Sequence, residues 1–328
     1  MRARVAVVAI VSFFVVLAGF ALEGVQCVPY TPPVDANGHP YWDLERKSRA
    51  HGAPLPLLTT KEIDRWSPPA SQRLRSLYLA DRYSLQRDEY DRSRNYYPAY
   101  YPVYYPPDAY EVAFNASGKL YFSGTDNEDS WCSGFFVDAN VIMTAAHCIF
   151  DNVKQQYSAG LHFARGEGTS RGEDYPIVKA AFYDEWRTSD YPGMFDYAFL
   201  LTSTRLPQDV TPLAITELTK ETDWMTVGYP QTYDAGGVDL SGGGSMLYVI
   251  GSLAYRSEMI LMNGNSMKKG SSGGPWVPNS YVGGPYGTTV ISVSSKMGWL
   301  SGTMWGPLLD SRTLALRDYL KGECVDSH

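Results

Sequence analysis

Short runs of apolar residues, many of them alternating with polar residues, follow one another along the chain from Glu111 onwards. Gly, Asn, Asp or Pro separates the runs every several residues, and the runs read LYFSG, SGFFVDA, VIMTAA, YAFLLTS, WMTVGYP, SMLYVIGS, EMILMNG and TTVISVSS. A period of two that is broken by turn residues predicts β-strands. So many short strands are typical of an all-β barrel or sandwich.

One segment near the C-terminus has a helical spacing instead. Leu316, Tyr319 and Leu320 fall on one helical face, and Gly322 follows as a stop signal. Ser311 precedes them as the expected N-cap. The pattern therefore predicts a single helix that closes the domain.

The region before residue 111 has a different texture. Residues 22–110 carry several proline patches and end in the tract NYYPAYYPVYYPPDAY over residues 95–110. That tract predicts an extended, polyproline-like linker; a sugar- or wall-binding role for its tyrosines is the alternative. A weak helical pattern with many charges predicts one helix within residues 71–94. We therefore expect an irregular extension over 22–110 and one folded domain over 111–328.

The first residues resemble an export signal. Arg2 and Arg4 precede an apolar run from Val5 to Leu22, and small residues stand near its end. We expect a signal peptide over residues 1–21, cleaved after Ala21, and a secreted protein that leaves the membrane. The alternative is an uncleaved signal anchor, because the run is long enough to cross a bilayer.

Composition narrows the classes of partner. The 328 residues are 44% hydrophobic with a formal net charge of −7, so we expect no nucleic-acid partner. Four cysteines in an exported chain favour two disulfides. The sequence lacks the Cys-x-x-Cys spacing that is typical of zinc sites, so no metal or cofactor is expected. Asn115 opens a glycosylation sequon.

His147 and Asp196 lie in sequence contexts that suit a catalytic base and the acid that orients it. His147 directly follows an apolar run and small residues, and Cys148 beside it could pair with Cys132 and staple the loop. Asp196 opens an otherwise apolar strand, where a charge is costly unless it is paired. A carboxylate orients an imidazole base, and Asp190 is the competing acid.

A glycine-rich turn supplies a candidate nucleophile. In the stretch GSSGGP, Ser272 occupies the third position, and glycines permit a tight backbone. In such a turn the backbone N–H groups of Gly270 and Ser272 can converge on an oxyanion. Each motif alone is weak, but the three in the order His147, Asp196, Ser272 are a strong signal.

These motifs together resemble the chymotrypsin-like serine peptidases. The resemblance runs from Glu111 to about Gly322 and rests on WCSGFFVDANVIMTAAHC, DYAFL, VTPLAI and GSSGGP. ASGKLYFSG, MTVGYP and the residue Ser271, where digestive members have Asp, are closer to the bacterial glutamyl endopeptidases. The resemblance implies two orthogonal six-stranded β-barrels with a cleft between them, and a monomeric endopeptidase that acts on proteins or peptides through an acyl-enzyme.

The resemblance also implies where substrate binds. The pocket floor falls near Ser266, with no acid to hold Arg or Lys, and Ile291 stands where glutamyl endopeptidases usually have His. The residues therefore do not predict glutamate specificity, and no side-chain preference is assigned. The full set of expected substrate-binding residues is Ser266, Met267, Lys269, Ile291, Ser292 and Ser294.

Three further hypotheses concern the whole chain. The extension could be a prosegment, tethered if Cys27 pairs with Cys324, with processing runs at Arg46–Arg49 and Asp91–Arg94, or it could be a retained arm. A second hypothesis is an inactive homologue that binds or adheres. A lipase or esterase is disfavoured, because an α/β-hydrolase places its histidine after the acid, and His328 is the only later one.

Overall fold

The computed structural model describes most of the chain beyond residue 110 and part of the extension before it. The described residues are 24–32, 41–66, 101–102, 111–167, 172–217, 223–231, 246–265, 267–278, 287–298, 302–322 and 324. The expected signal peptide, the helix expected in 71–94 and most of the expected linker lie outside them. Of that linker, residues 101–102 form the short strand β3 (Tyr101–Pro102).

The first barrel is a closed ring of six antiparallel strands. Its ladder runs β10–β11–β6–β5–β4–β9 and returns to β10. These strands are β4 (Ser117–Ser123), β5 (Asp129–Asp138), β6 (Val141–Thr144), β9 (Ala159–Arg165), β10 (Glu173–Tyr183) and β11 (Ala198–Thr202). Its interior holds a large apolar cluster with fully buried phenylalanines, as the apolar runs predict.

The second large sheet has seven strands along its main path and forms a half-barrel, which we call the second barrel. Their order is β18–β16–β13–β14–β15–β20–β19, with β3 paired to β14. The strands are β13 (Asp223–Gly228), β14 (Leu247–Arg256), β15 (Met259–Asn263), β16 (Pro275–Pro278), β18 (Ser292–Val293), β19 (Lys296–Met297) and β20 (Thr303–Pro307). Only two residues separate β18 from β19, so this segment brings the two ends of the sheet together.

Small elements connect and flank the barrels. The strand pairs are β7 (Phe150–Asp151) with β8 (Gln156–Tyr157), and β12 (Ala214–Ile215) with β17 (Thr289–Val290). Helix α3 (Glu111–Ala116) opens the domain and carries half-buried Asn115, and helix α4 (Glu185–Thr188) precedes Asp196. Two 3₁₀ turns are η1 (Ala146–Cys148) and η2 (Pro192–Phe195).

The C-terminal helix forms where the sequence predicts it. Helix α5 spans Ser311–Gly322 and buries Leu316 and Leu320. The expected N-cap is displaced by one residue, because the Asp310 carboxylate, not Ser311, accepts the first backbone N–H groups of the helix. An aspartate is as good a cap as a serine, so the helix end is satisfied either way.

The N-terminal extension is more ordered than an irregular segment. Strand β1 (Val25–Pro29) pairs with β10, and helix α1 (Leu44–Arg49) leads into strand β2 (His51–Gly52), which pairs in parallel with β5. Helix α2 (Thr60–Trp66) follows and lies on the second barrel. We name residues 50–66 the arm. The expectation of an irregular extension is therefore wrong for these segments.

Ion pairs hold the extension against both barrels. Lys47 of α1 donates to Asp174 at 2.5 Å, and Arg65 of α2 pairs with Glu258. Burial alone would raise the pKa of Asp174, but its bonds with His162 and Lys47 lower this pKa to about 2. The carboxylate therefore remains ionised well into acid.

Both expected disulfides are present. Cys132 pairs with Cys148, with a Cα–Cα distance of 6.3 Å, and Cys27 pairs with Cys324, with a Cα–Cα distance of 5.8 Å. The second bond joins β1 to the segment after α5, across 297 positions of sequence. Within the described residues, no helix combines the length and the apolar character needed to span a bilayer.

Candidate active site

His147 and Asp196 meet at the edge of the first barrel. His147 lies in η1, just after β6, and Asp196 directly follows η2, ahead of β11. The imidazole Nδ1 lies 2.8 Å from Asp196 Oδ2 and 3.1 Å from Oδ1, and the His147 backbone N–H donates to Oδ1 at 2.9 Å. The carboxylate therefore fixes both the ring and the loop that carries it.

Two further residues support this carboxylate, which is fully buried. The Ser295 hydroxyl donates to Asp196 Oδ2 at 2.5 Å, and the Lys296 ammonium lies nearby. Burial alone would raise the pKa of Asp196, but the His147 imidazole, Lys296 and the Ser295 hydroxyl hold it below its ordinary value. Asp196 is thus an anion throughout the neutral range, as an orienting acid must be.

The turn that carries Ser272 is tied to the first barrel. Ser133 of β5 donates its N–H to the Ser272 carbonyl at 2.7 Å and its hydroxyl to the Gly270 carbonyl at 2.9 Å. Gly273 has a φ of +79°, and a Cβ there would lie 2.2 Å from Thr144 Oγ1 and 2.7 Å from the Ala145 nitrogen. Only glycine allows this approach, so the turn lies directly against the loop that leads to His147.

Ser271 has a structural role in the same turn. Its hydroxyl donates to the Lys268 carbonyl at 2.8 Å, and its N–H donates to the same carbonyl at 3.1 Å. This local bond closes the turn from within. The structure therefore shows a means of ordering the turn that needs no aspartate at this position.

The reacting atoms are closed off from solvent. Ser272 Oγ and His147 Nε2 are both buried, and neither has a hydrogen-bond partner among the described residues. A buried polar atom without a partner is uncommon and costly. The Ser272 hydroxyl and the His147 imidazole therefore do not hydrogen-bond to each other in this state, and both atoms are covered.

The arm crosses this cleft. The Ala53 N–H donates to the Trp131 carbonyl at 2.8 Å, and the Ala53 carbonyl accepts from the Gly270 N–H at 2.9 Å. Three residues later the Pro56 carbonyl accepts from the Met297 N–H at 3.1 Å, and Leu57 bridges Met297 in parallel. The arm therefore spans from one barrel to the other, and it occupies the N–H group expected to hold an oxyanion.

The structure places the expected substrate-binding residues unevenly. Met267 and Ile291 are buried in one apolar cluster of the second barrel, and Leu55 of the arm belongs to the same cluster. Lys269 is exposed, although its carbonyl accepts from the Gln231 N–H at 2.7 Å. Ser266 lies outside the described residues.

The serines in and just after β18 are bonded within the second barrel. Ser292 is fully buried and donates to the Pro307 carbonyl at 2.7 Å, within the barrel wall. The Ser294 hydroxyl accepts from Trp276 Nε1 at 3.1 Å, while its carbonyl accepts from the Gly273 N–H. Ser295, and neither of these two, is the serine that contacts Asp196.

Ser295 and Lys296 are the site residues that sequence reasoning missed. The signal was present as three serines in the run VISVSSK, but alternation alone does not say which of them faces the cleft. Asp190, the competing acid, instead pairs with Lys61 at 2.5 Å in an exposed position. The hydrogen bonds thus favour Asp196 over Asp190 as the partner of His147.

Among the residues that the structure describes, one group of potential metal ligands includes His147. The sulfurs of Cys132 and Cys148 and a His147 nitrogen lie within 4.8 Å of one another. The two sulfurs form a disulfide, so they do not offer the thiolates that a zinc site needs.

The fold agrees with comparisons to known proteins. The sequence model of the trypsin family matches residues 107–298, more than half of the chain. The chain belongs to the trypsin family. No sequence among the curated proteins matches it.

Solved structures of serine proteases share the fold of this trypsin-family chain at low sequence identity. A Glu endopeptidase aligns with a TM-score of 0.55 and 17% identity, over 67% of this chain and 95% of that one. A thermostable serine protease, AL20, from an extremophilic microorganism gives 0.52 and 23%, over 63% and 97%. The protease Anisep from Arthrobacter nicotinovorans gives 0.50 and 21%, over 64% and 96%.

Proposed function

We propose that this protein is a secreted serine endopeptidase that cleaves peptide bonds with His147, Asp196 and Ser272. The single observation that carries the proposal is the His147 ring, bonded through Nδ1 to a buried carboxylate while its Nε2 has no partner among the described residues. The nucleophile turn lies against the same loop. An imidazole held in this way is oriented to accept a proton at Nε2.

The reaction follows from these groups. Ser272 Oγ attacks the substrate carbonyl carbon while its proton moves to His147 Nε2, and the carbonyl oxygen becomes an anion. The Gly270 and Ser272 N–H groups stabilise that anion. The C–N bond then breaks as His147 protonates the departing amine, and an ester to Ser272 remains. Water, activated by the same imidazole, attacks the ester, and the serine proton is restored as the acid product leaves.

Labelling by a fluorophosphonate tests catalytic competence. We expect a covalent adduct on Ser272 in the full chain after limited digestion with an arginine-specific protease that cuts on both sides of the arm. The Ser272→Ala variant should not react, whereas Ser271→Ala should. A digested chain that keeps its cooperative thermal unfolding but forms no adduct would support the alternative, an inactive homologue that acts by binding.

The extension is proposed to be a prosegment that keeps the enzyme inactive. Three contacts support this: the arm occupies the Gly270 N–H, pairs with β5 and Met297, and places Leu55 in the apolar cluster with Met267 and Ile291. Ser272 Oγ and His147 Nε2 are also buried in this state. Substrate needs the same hydrogen-bonding groups, so it must displace the arm. The undigested chain should therefore label much more slowly than the digested one, and equal rates would contradict the inhibitory role.

Secretion rests on independent features. The apolar run near the N-terminus predicts export, and both disulfides described above are of the kind that persists in oxidising compartments. N-terminal sequencing of the protein from the culture medium tests this, with Leu22 as the expected first residue before any further processing. Recovery only in the membrane fraction would favour the signal anchor.

A further inference from the structure

A buried ion pair joins the arm to the edge of the active site. Lys296 Nζ donates to Glu62 Oε2 at 3.0 Å, and the two side chains are 2% and 0% exposed. Glu62 Oε1 accepts from the Gly193 N–H at 2.7 Å. One carboxylate of the arm is thus bound by a cation and a backbone N–H that both belong to the peptidase domain.

Both domain groups lie next to the proposed catalytic acid. Lys296 directly follows Ser295, whose hydroxyl contacts Asp196, and the Asp196 N–H donates to the Gly193 carbonyl at 3.3 Å. Lys296 Nζ lies 5.7 Å from the centre of the Trp186 ring, which in turn is 6.4 Å from the His147 ring. The carboxylate of Glu62 is therefore bound by two groups that adjoin the contacts of Asp196.

Gly193 gives this site room for a carboxylate. A Cβ at Gly193 would lie 2.7 Å from Glu62 Oε1 and 2.8 Å from Met259 Sδ. Any larger residue would push the carboxylate away from the N–H group. The position is therefore shaped for close approach of an anion.

Glu62 also has a role inside its own helix. Its Oε2 accepts from the Thr59 N–H at 2.8 Å, and the Thr59 hydroxyl accepts from the Glu62 N–H at 3.2 Å, which together form a capping box. That motif explains why α2 has a glutamate at this position. It does not explain why the domain supplies Lys296 and the Gly193 N–H to meet it.

Departure of the arm leaves this cation without its carboxylate. The other carboxylate near it, that of Asp196, is already bonded to His147 and Ser295. A carboxylate from another chain that enters the cleft would restore the pair. The arm therefore occupies a site that an acidic substrate side chain fits.

We propose that Lys296 and the Gly193 N–H form a carboxylate-binding subsite that selects an acidic side chain of the substrate close to the scissile bond. The proposal rests on the proposed peptidase function and adds a substrate class to it. It concerns a subsite beside Asp196, separate from the apolar cluster that contains Met267 and Ile291. Glu62 fills that subsite until substrate replaces it.

The kinetic test uses the full chain with Glu62→Gln, which keeps the shape of the arm but removes its charge. We compare pairs of peptide substrates that differ only by Glu or Gln at one position, and we move that position in turn along the acyl side of the bond. The measured quantity is kcat/KM per labelled active site. We expect the Glu peptide to be favoured about tenfold at one position, the effect of a charge-assisted hydrogen bond. Adding Lys296→Met should bring the ratio close to one, whereas adding Lys268→Met, which removes an exposed lysine, should not.

A binding test separates this proposal from the peptidase function. The peptide LTTKEIDRW, which corresponds to residues 58–66, is titrated into the same Glu62→Gln chain alongside its Gln counterpart, with fluorescence anisotropy as the readout. The Glu peptide should bind about tenfold more tightly, and Lys296→Met should abolish the difference. Equal affinities, or a difference that survives Lys296→Met, would overturn the subsite even in an active enzyme. A Lys296-dependent difference in a chain that never labels would overturn only the peptidase function.

Discussion

Trp66 is the main apolar anchor of the arm, and its removal should open the active site. The side chain is fully buried in a cluster with Met259, Leu261 and Trp305. Its ring centre lies 6.4 Å from that of Trp305, and its Nε1 donates to Glu258 at 3.1 Å. Trp66→Ala therefore removes the best-packed contact between α2 and the second barrel.

The size of the effect follows from burial. Truncation of a fully buried tryptophan to alanine costs roughly 3 to 5 kcal/mol. If this cost falls on docking of the arm, the open fraction rises by roughly 100- to 5,000-fold, since about 1.4 kcal/mol is a factor of ten. The open fraction cannot rise further once the arm is undocked in most molecules.

The rate at which a fluorophosphonate labels Ser272 in the undigested chain measures the open fraction. Ile63, 42% exposed on the same helix, provides the matched control, and Ile63→Ala should change the rate little. Hydrogen exchange reports whether helix α2 is undocked in the Trp66→Ala variant. If the helix is undocked and the variant still labels no faster than the parent, then the arm does not limit access to Ser272.

Three further predictions address the acid, the pH dependence and the tether. Ser295→Ala removes a donor to Asp196, so kcat for a peptide ester should fall about tenfold per labelled site, and a loss under twofold would remove Ser295 from the positioning residues. The pKa of Asp174 is depressed to about 2, so its contribution to holding α1 is present above about pH 4 and is lost as the pH falls towards 2; hydrogen exchange of α1 should show this, and Asp174→Asn should abolish the dependence. Cys27→Ser combined with Cys324→Ser should lower the free energy of unfolding by up to about 5 kcal/mol, measured by denaturant titration, and an unchanged midpoint would contradict the chain-entropy argument.

The strands and the pairing of His147 with Asp196 could be predicted because their signals are local, whereas the two barrels were implied by the family resemblance. Alternating runs fix strands wherever one face is buried, and His147, Asp196 and Ser272 each stand in a short, unusual context. The alternation did not show which serine of the run VISVSSK contacts Asp196, and the structure assigns that contact to Ser295. Strand β18 pairs with β16 and strand β19 pairs with β20, although only two residues separate β18 from β19. Packing decides this change of partner strand, and the local sequence does not encode that packing.

The arm could not be predicted, because most of its contacts leave no side-chain signature. Ala53 and Pro56 act through backbone carbonyls, and any residue supplies those. Helix α2 has only seven residues, too few to show a clear period. Its two buried residues, Glu62 and Trp66, are spaced i, i+4, but an isolated pair of this kind also occurs by chance.

The tether constrains how the arm can leave. Strand β1 precedes the arm and is held by β10 and by the Cys27–Cys324 disulfide, while the domain follows it. A cut on one side therefore leaves the arm attached through the other side, and an attached segment keeps a high effective concentration near its site.

The two basic runs expected as processing sites, Arg46–Arg49 and Asp91–Arg94, lie on opposite sides of the arm. Cleavage at both would excise it and leave β1 in the barrel, and the first of these runs is accessible because α1 buries none of its residues. Activation by excision thus fits the covalent structure, whereas activation by a single cut would depend on spontaneous undocking.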